Sequence, residues 1–141
     1  MKYVLDSSVA LKWVLAEIDS GKATRLRDDY KNAVNDLISP DIFTPEVANG
    51  LASAERQRRI GPGEAAQFLR DILRTAPLIH PTPPLLTRAI EISLFTRQSV
   101  YDCIYLALAE VQGCEMVSAD DVFVRKLRSA YPYLIRLADM P

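Results

Sequence analysis

The sequence predicts an α/β protein with a mainly parallel central sheet flanked by helices. Short apolar runs of strand length alternate with longer segments of helical period along the whole chain. Apolar residues make up 49% and charged residues 25% of the 141 residues, the balance of a soluble globular protein with enough chain for one ordinary domain, residues 1–141. No internal repeat, low-complexity stretch or linker divides it.

The elements follow in order. Lys2 to Leu5 reads as a buried strand ended by Asp6-Ser7-Ser8. Val9, Ala10, Leu11, Trp13, Val14 and Leu15 then fall at helical spacing. The alternating charges between Glu17 and Asn35 read as one exposed helix, and Leu37-Ile38 before Pro40 as a second strand. Thr44-Pro45-Glu46 has the composition of a helix start: a hydroxyl cap, proline at the first helical position and an acid in the first turn. That helix is expected to end near Ile60, where Gly61-Pro62-Gly63 interrupts it. Glu64 to Thr75 is a further helix, Leu78 to His80 a short strand, and Leu85 to Thr96 a helix after the prolines 81 to 84. Ser99 opens the most apolar helix, Val100 to Gln112, which Gly113 ends. Its near lack of a polar face predicts a central, buried position. Glu115 to Val117 is a strand, Asp120 to Arg128 a last helix, and Tyr133 to Leu137 an edge strand.

Composition excludes several function classes. Seventeen basic against eighteen acidic side chains, a formal charge of −1, argue against an indiscriminately basic nucleic-acid coat. The single histidine, His80, excludes a multi-histidine metal cage and weakens any serine–histidine or cysteine–histidine triad; at a strand end it reads as structural. With a helix running between them, Cys103 and Cys114 are expected roughly 15 Å apart, beyond disulfide reach, and Cys103 reads as an inert small hydrophobe. No apolar run approaches the ~20 residues that span a bilayer, and the N-terminus is too short for a signal peptide, so a cytoplasmic protein with no membrane partner is expected. An aspartyl-phosphate enzyme wants a second carboxylate two residues after Asp6, where Ser8 stands. A nucleotide-binding loop wants glycines after the first strand, and none of the five lies there.

Carboxylates and hydroxyls remain. Asp6 follows the first strand and Asp120 a late one, which in a parallel sheet places both at the carboxyl edge where open α/β sheets bind ligands. Glu46 and Asp102 lie in the first turns of two helices that open toward the same crevice. Taken singly, each acid also reads as a helix cap or a dipole-favoured first-turn residue, with Ser99 and Asp102 in a capping box. Taken together, four converging carboxylates repel one another, and a hard divalent cation relieves that conflict.

These residues carry a family likeness. Asp6-Ser7-Ser8 after a strand, Glu46-Val47-Ala48-Asn49 on a helix, Ser99-Val100-Tyr101-Asp102 opening an apolar helix, and Val117-Ser118-Ala119-Asp120 after a late strand stand in a definite order and spacing. In this the chain resembles the PIN-domain nucleases from Lys2 to about Arg128, and in particular the VapC-type toxins of bacterial and archaeal toxin–antitoxin pairs. It departs from the pattern in having Asp121 beside Asp120, and Ser118 where threonine is commoner. The resemblance implies a PIN-like three-layer sandwich and a metal-dependent single-strand endoribonuclease. Asp6, Glu46, Asp102 and Asp120 match the catalytic acids, with Asp6, Asp102 and Asp120 on Mg2+ or Mn2+. Ser7, Ser118 and Asp121 support them. Hydrolysis through a metal-bound water, leaving a 5′-phosphate and a 3′-hydroxyl, is implied with it.

Arg56, Arg58 and Arg59 are candidates for phosphate contact, and Arg125, Lys126 and Arg128 form a second basic cluster; a solvated helix face explains both as well. Trp13 and Tyr101 are candidates for stacking on bases, although Trp13 falls on the apolar stripe of its helix and reads first as core. The resemblance also implies a single-stranded or structured RNA substrate, a cognate antitoxin and a homodimer, with the helix around Phe68, Leu69 and Leu73 as a docking surface or as core. Two alternatives stand beside the toxin: a PIN-type RNA-processing nuclease without an antitoxin, and a catalytically silent PIN-like binding module.

Overall fold

A computed structural model describes residues 1–141. Five strands form one sheet: β1 (Lys2–Leu5), β2 (Asp36–Pro40), β3 (Leu78–His80), β4 (Glu115–Ser118) and β5 (Leu134–Arg136). Their spatial order is β3-β2-β1-β4-β5, and every pairing is parallel. The chain therefore builds outward from β1 through β2 and β3, then returns to the other side of β1 for β4 and β5. This reversal makes the carboxyl ends of β1 and β4 a topological switch point, where a crevice opens between diverging connections. The register sets Leu5 opposite Val117, so Asp6 and Ser118 emerge side by side, and the Asp6 amide donates to the Val117 carbonyl at 3.1 Å.

Seven helices cover the sheet: α1 (Ser7–Leu11), α2 (Ser20–Lys31), α3 (Phe43–Arg56), α4 (Glu64–Leu73), α5 (Leu86–Thr96), α6 (Val100–Gln112) and α7 (Asp121–Leu127). The period-two alternation of the strands divides the core. Val4, Ile38 and Met116 face one layer with α5, α6 and α7; Tyr3, Leu5, Leu37 and Val117 face the other with α1 to α4. The result is the expected three-layer sandwich. Residues 103 to 109 of α6 are all buried, as its composition predicts, and Gly113 ends the helix in the left-handed region at φ 61°, which glycine adopts without penalty.

Several boundaries differ from the sequence reading. The first helix stops at Leu11, not Leu15, with turns carrying the chain onward. The charged helix spans Ser20–Lys31, shorter than the segment from Glu17 to Asn35. Thr44 is not the cap of α3: the helix starts at Phe43, whose fully buried ring draws the preceding residue into the turn. Pro45 is still tolerated, because first-turn amides have no intrahelical partner to lose. The helix also ends before the Gly-Pro-Gly segment, where Arg58 turns left-handed at φ 59° and the Arg59 amide closes on the Ala54 carbonyl at 2.9 Å. Near the end of α6, Val111 is 67% exposed, so this helix is not buried over its whole length.

Trp13 is structural, as its stripe implies: its indole N–H donates to the Ala23 carbonyl at 2.9 Å and the Arg27 guanidinium lies 4.9 Å from the ring centroid. Phe68 and Leu69 pack against the α1–α4 core, while Leu73 is exposed. Both cysteines are free, and burial pushes the Cys103 thiol up, which keeps it unreactive.

One polar network ties α5, α6 and the approach to β5 together. Arg88 donates to both Glu110 oxygens, at 2.7 and 3.0 Å, and the Tyr133 hydroxyl donates to Oε1 at 2.8 Å. The Arg88 bonds hold the Glu110 carboxyl below its usual range, against the opposing effect of burial. A depressed carboxyl stabilises the fold above its unfolded pKa, and that stability is lost as the pH falls through the folded value. Glu110→Gln is therefore expected to lower the urea midpoint near neutral pH and to flatten the acid limb of its pH dependence. The effect should be about 1 kcal/mol, held down because Arg88 is largely solvated. Equal midpoints for parent and variant from pH 7 to pH 3 would contradict it.

Candidate active site

The crevice at the switch point is built from four segments. β1 delivers Asp6, β4 delivers Ser118 and, two residues on, Asp120. The first turn of α3 carries Glu46 and that of α6 carries Asp102. The four acids act on one another: Asp102 and Asp120 both raise the Asp6 carboxyl, Asp6 and Asp102 raise Glu46, and Asp120 raises Asp102. Burial is the larger cause in each of these three, so desolvation and like charge push the same way.

Asp6 is the best defined. It stands at the N-cap position of α1, yet its carboxylate does not cap that helix. Its Oδ2 instead accepts from the Ser8 hydroxyl at 2.6 Å and the Ser118 hydroxyl at 2.8 Å. Each hydroxyl serves twice: Ser8 accepts from the Ala119 amide at 3.0 Å and Ser118 from the Asp120 amide at 3.1 Å. These bonds lock the segment after β4 against the start of α1. Glu46 is held by the buried Tyr105, whose hydroxyl donates at 2.6 Å, and more weakly by Ser7 at 3.4 Å.

The local, structural readings hold for part of the set. Asp120 caps α7, accepting from the Phe123 amide at 3.0 Å. Ser99 caps α6 and also donates to Asp102 Oδ2 at 3.1 Å. Asp6 and Glu46 have no such local duty. Asp121 is exposed, in the first turn of α7. Arg56, Arg58 and Arg59 are exposed at the far end of α3, about 15 Å along the helix from Glu46. They line a surface cavity of about 710 Å³, and Arg59 pairs with Glu17 at 3.5 Å. That cavity is not beside the acids.

Two contributors were not apparent from the sequence. Ser8 figures in the sequence reading only as part of the Asp6-Ser7-Ser8 run and as the absence of a carboxylate, and Tyr105 not at all. Tyr105 lies one helical turn after Asp102, on the same face of α6, which is the signal that points to it.

None of the ion pairs reaches Asp6, Glu46, Asp102 or Asp120, so the negative charge is not neutralised by a lysine or arginine. The donors are carboxylate and hydroxyl oxygens without nitrogen or sulfur, a set that fits a hard divalent cation. No three of the chain's acidic, histidine or cysteine side chains are gathered tightly enough to hold an ion between them; Asp102 and Asp120 are turned to their own helix starts.

An all-parallel open sheet with uncompensated acids at its switch point defines a class of α/β protein whose crevice suits a cation and an anionic ligand together. The chain belongs to the PIN domain family, whose model matches residues 3–127. It is 32% identical over 117 residues to the VapC ribonuclease Mb0985 of Mycobacterium bovis, covering 83% of this chain and 84% of that protein. It is 28% identical over 137 residues to ribonuclease VapC3 of Pyrobaculum aerophilum, covering 96% and 98%. Among solved structures, PAE2754 from Pyrobaculum aerophilum superposes with a TM-score of 0.72 at 20% identity, over 98% of this chain and 85% of that one. A toxin–antitoxin complex from Klebsiella pneumoniae superposes with a TM-score of 0.64 at 14% identity, over 96% and 97%. These two likenesses speak for the fold.

Proposed function

We propose that this chain is a divalent-metal-dependent endoribonuclease, the toxin of a type II toxin–antitoxin pair, hydrolysing phosphodiesters of RNA in the cytoplasm. The observation that carries the reading is Asp6: a carboxylate at the end of the central strand, raised by burial and by two neighbouring acids, with hydroxyl donors and no cation. Its VapC ribonuclease relatives supply the substrate class, and the likeness to a toxin–antitoxin complex supports an antitoxin partner.

In this reading Asp6, Asp102 and Asp120 would hold Mg2+ or Mn2+. When bound, the ion supplies Lewis acidity that activates the attacking water and offsets charge on the phosphate. Glu46, raised by burial and by Asp6 and Asp102 and steadied by Tyr105, would take the proton from the attacking water. Ser118 and Ser8 fix the orientation of Asp6, and Ser7 reaches Glu46. Arg56, Arg58 and Arg59 meet phosphates further along the strand. A homodimer is supported by the outer stripe of α5, where Ile90, Leu94 and Phe95 are 49%, 78% and 75% exposed.

The direct test compares parent and Asp102→Asn on a panel of single-stranded and structured RNAs, with Mg2+, with Mn2+ and with chelator. Asn retains the amide that Ser99 caps, so the fold should survive. Cutting by the parent alone, abolished by chelator, is expected; equal cutting by both proteins would remove Asp102 from the site.

A further inference from the structure

We propose that the groove beside Glu46 is a base-stacking subsite: it takes a nucleobase of the RNA strand next to the scissile phosphate, with Tyr101 as its platform. The proposal rests on the ribonuclease reading and deepens it. The groove encloses about 450 Å³ and is lined by Ser7, Ile42, Pro45, Glu46, Asn49 and Tyr101, with the Gly50 backbone between α3 and α1. Ser7 and Glu46 belong to the acid cluster as well, so a strand passing the acids has its adjoining nucleotide at the groove mouth.

Three features decide what enters. No lysine or arginine lines the groove and one wall is a carboxylate, so a phosphate is excluded and the uncharged part of the nucleotide is admitted. Tyr101 is 64% exposed and immediately precedes Asp102, so one helical turn carries both the ring and a carboxylate of the site. An accessible aromatic ring lining the same groove as the apolar Ile42 and Pro45 suits the flat face of a base, and the exposed Asn49 amide offers a donor and an acceptor to its edge. Residues 42, 45, 46 and 49 recur at helical spacing, so the N-cap and first two turns of α3 present them as one stripe. α1 and α3 pack closely here: a Cβ on Gly50 would lie 2.7 Å from Leu11 Cδ1.

The test measures kcat/KM on a short single-stranded RNA and on copies carrying one abasic residue at each position around the mapped cut. One position should matter: removing its base should slow the parent roughly 5- to 150-fold. Tyr101→Ala should slow the intact RNA by a similar factor and lose sensitivity to that abasic residue, whereas Tyr101→Phe should keep both. Tyr101→Ala matching the parent on every RNA overturns the subsite and leaves the groove to a protein partner. So does an abasic penalty that persists undiminished in Tyr101→Ala. Affinity of the same RNAs for Asp102→Asn protein, read by fluorescence anisotropy, separates this idea from the nuclease reading. Base-dependent binding without cutting by the parent sinks the nuclease and keeps the subsite; cutting without base dependence does the reverse; neither binding nor cutting sinks both.

Discussion

Asp6→Asn is expected to abolish metal-dependent RNA cleavage while leaving the metal-free fold as stable as the parent, or more so. The loss should be on the order of 10²–10³-fold, the several kcal/mol that a cation contributes at a phosphate. The stability side follows from the environment of Asp6. Burial, then Asp102 and Asp120, raise its pKa, and the Ser8 and Ser118 bonds only partly offset them. A carboxyl raised in the folded state binds its proton more tightly there than in the unfolded chain. Ionising it therefore costs stability as the pH climbs from the unfolded value through the folded one, and above the folded value that cost is fully present. Asparagine keeps an oxygen for the two serine hydroxyls and discards the charge. A divalent cation should reverse the order: millimolar Mg2+ or Mn2+ should raise the parent's Tm by binding only the native state, and raise that of Asp6→Asn much less. Thermal melts with chelator and with metal give both signs. A variant less stable than the parent in chelator would mean that Asp6 is a structural acid whose charge the fold needs.

How much of this was legible in the sequence depends on how far each interaction reaches along the chain. β1, β3 and α6 were readable nearly to the residue because their signals are local: a short apolar run, a Ser99 cap, a Gly113 stop. The ends of α3 were not, because Phe43 starts the helix through its burial in the core and Arg58 ends it by a left-handed turn that any loop residue can adopt at a cost. The four acids were visible at strand and helix ends, and the fold brings them within electrostatic reach of one another. What holds them was visible only in part: Ser7, Ser99 and Ser118 were legible beside the acids, whereas the contacts of Ser8 and Tyr105 were not. Ser8 meets the Ala119 amide 111 residues away, and Tyr105 meets Glu46 across 59 residues. Pairings of that range depend on the strand order β2-β1-β4, which no local pattern specifies. Asp120 shows the converse: its cap on α7 is real, so the local reading was right and a further role rests on the company it keeps.

Tyr105 joins the core to the chemistry, and two substitutions should separate its contributions. The side chain is fully buried in the layer under α6, and its hydroxyl donates to Glu46 at 2.6 Å. Burial first, then Asp6 and Glu46, push the phenol pKa up, so it stays a neutral donor throughout the working range. Tyr105→Ala should cost about 3–5 kcal/mol through the cavity it leaves, a large share of the 5–15 kcal/mol typical of a domain. The urea midpoint should fall steeply with the m-value unchanged. Tyr105→Phe keeps the ring and removes only the donor, leaving Glu46 with the longer Ser7 contact. A carboxylate that loses a donor is harder to ionise, so the Glu46 pKa should rise above its already raised position. If Glu46 takes the proton from the attacking water, it works only when ionised, and the acid limb of the kcat profile should move to higher pH while the plateau rate changes little. An unmoved limb in a folded Tyr105→Phe would make the hydroxyl a satisfied core group and Glu46 a bystander in the proton transfer. A moved limb would show that a side chain in the centre of the sandwich sets the protonation of an acid at its rim.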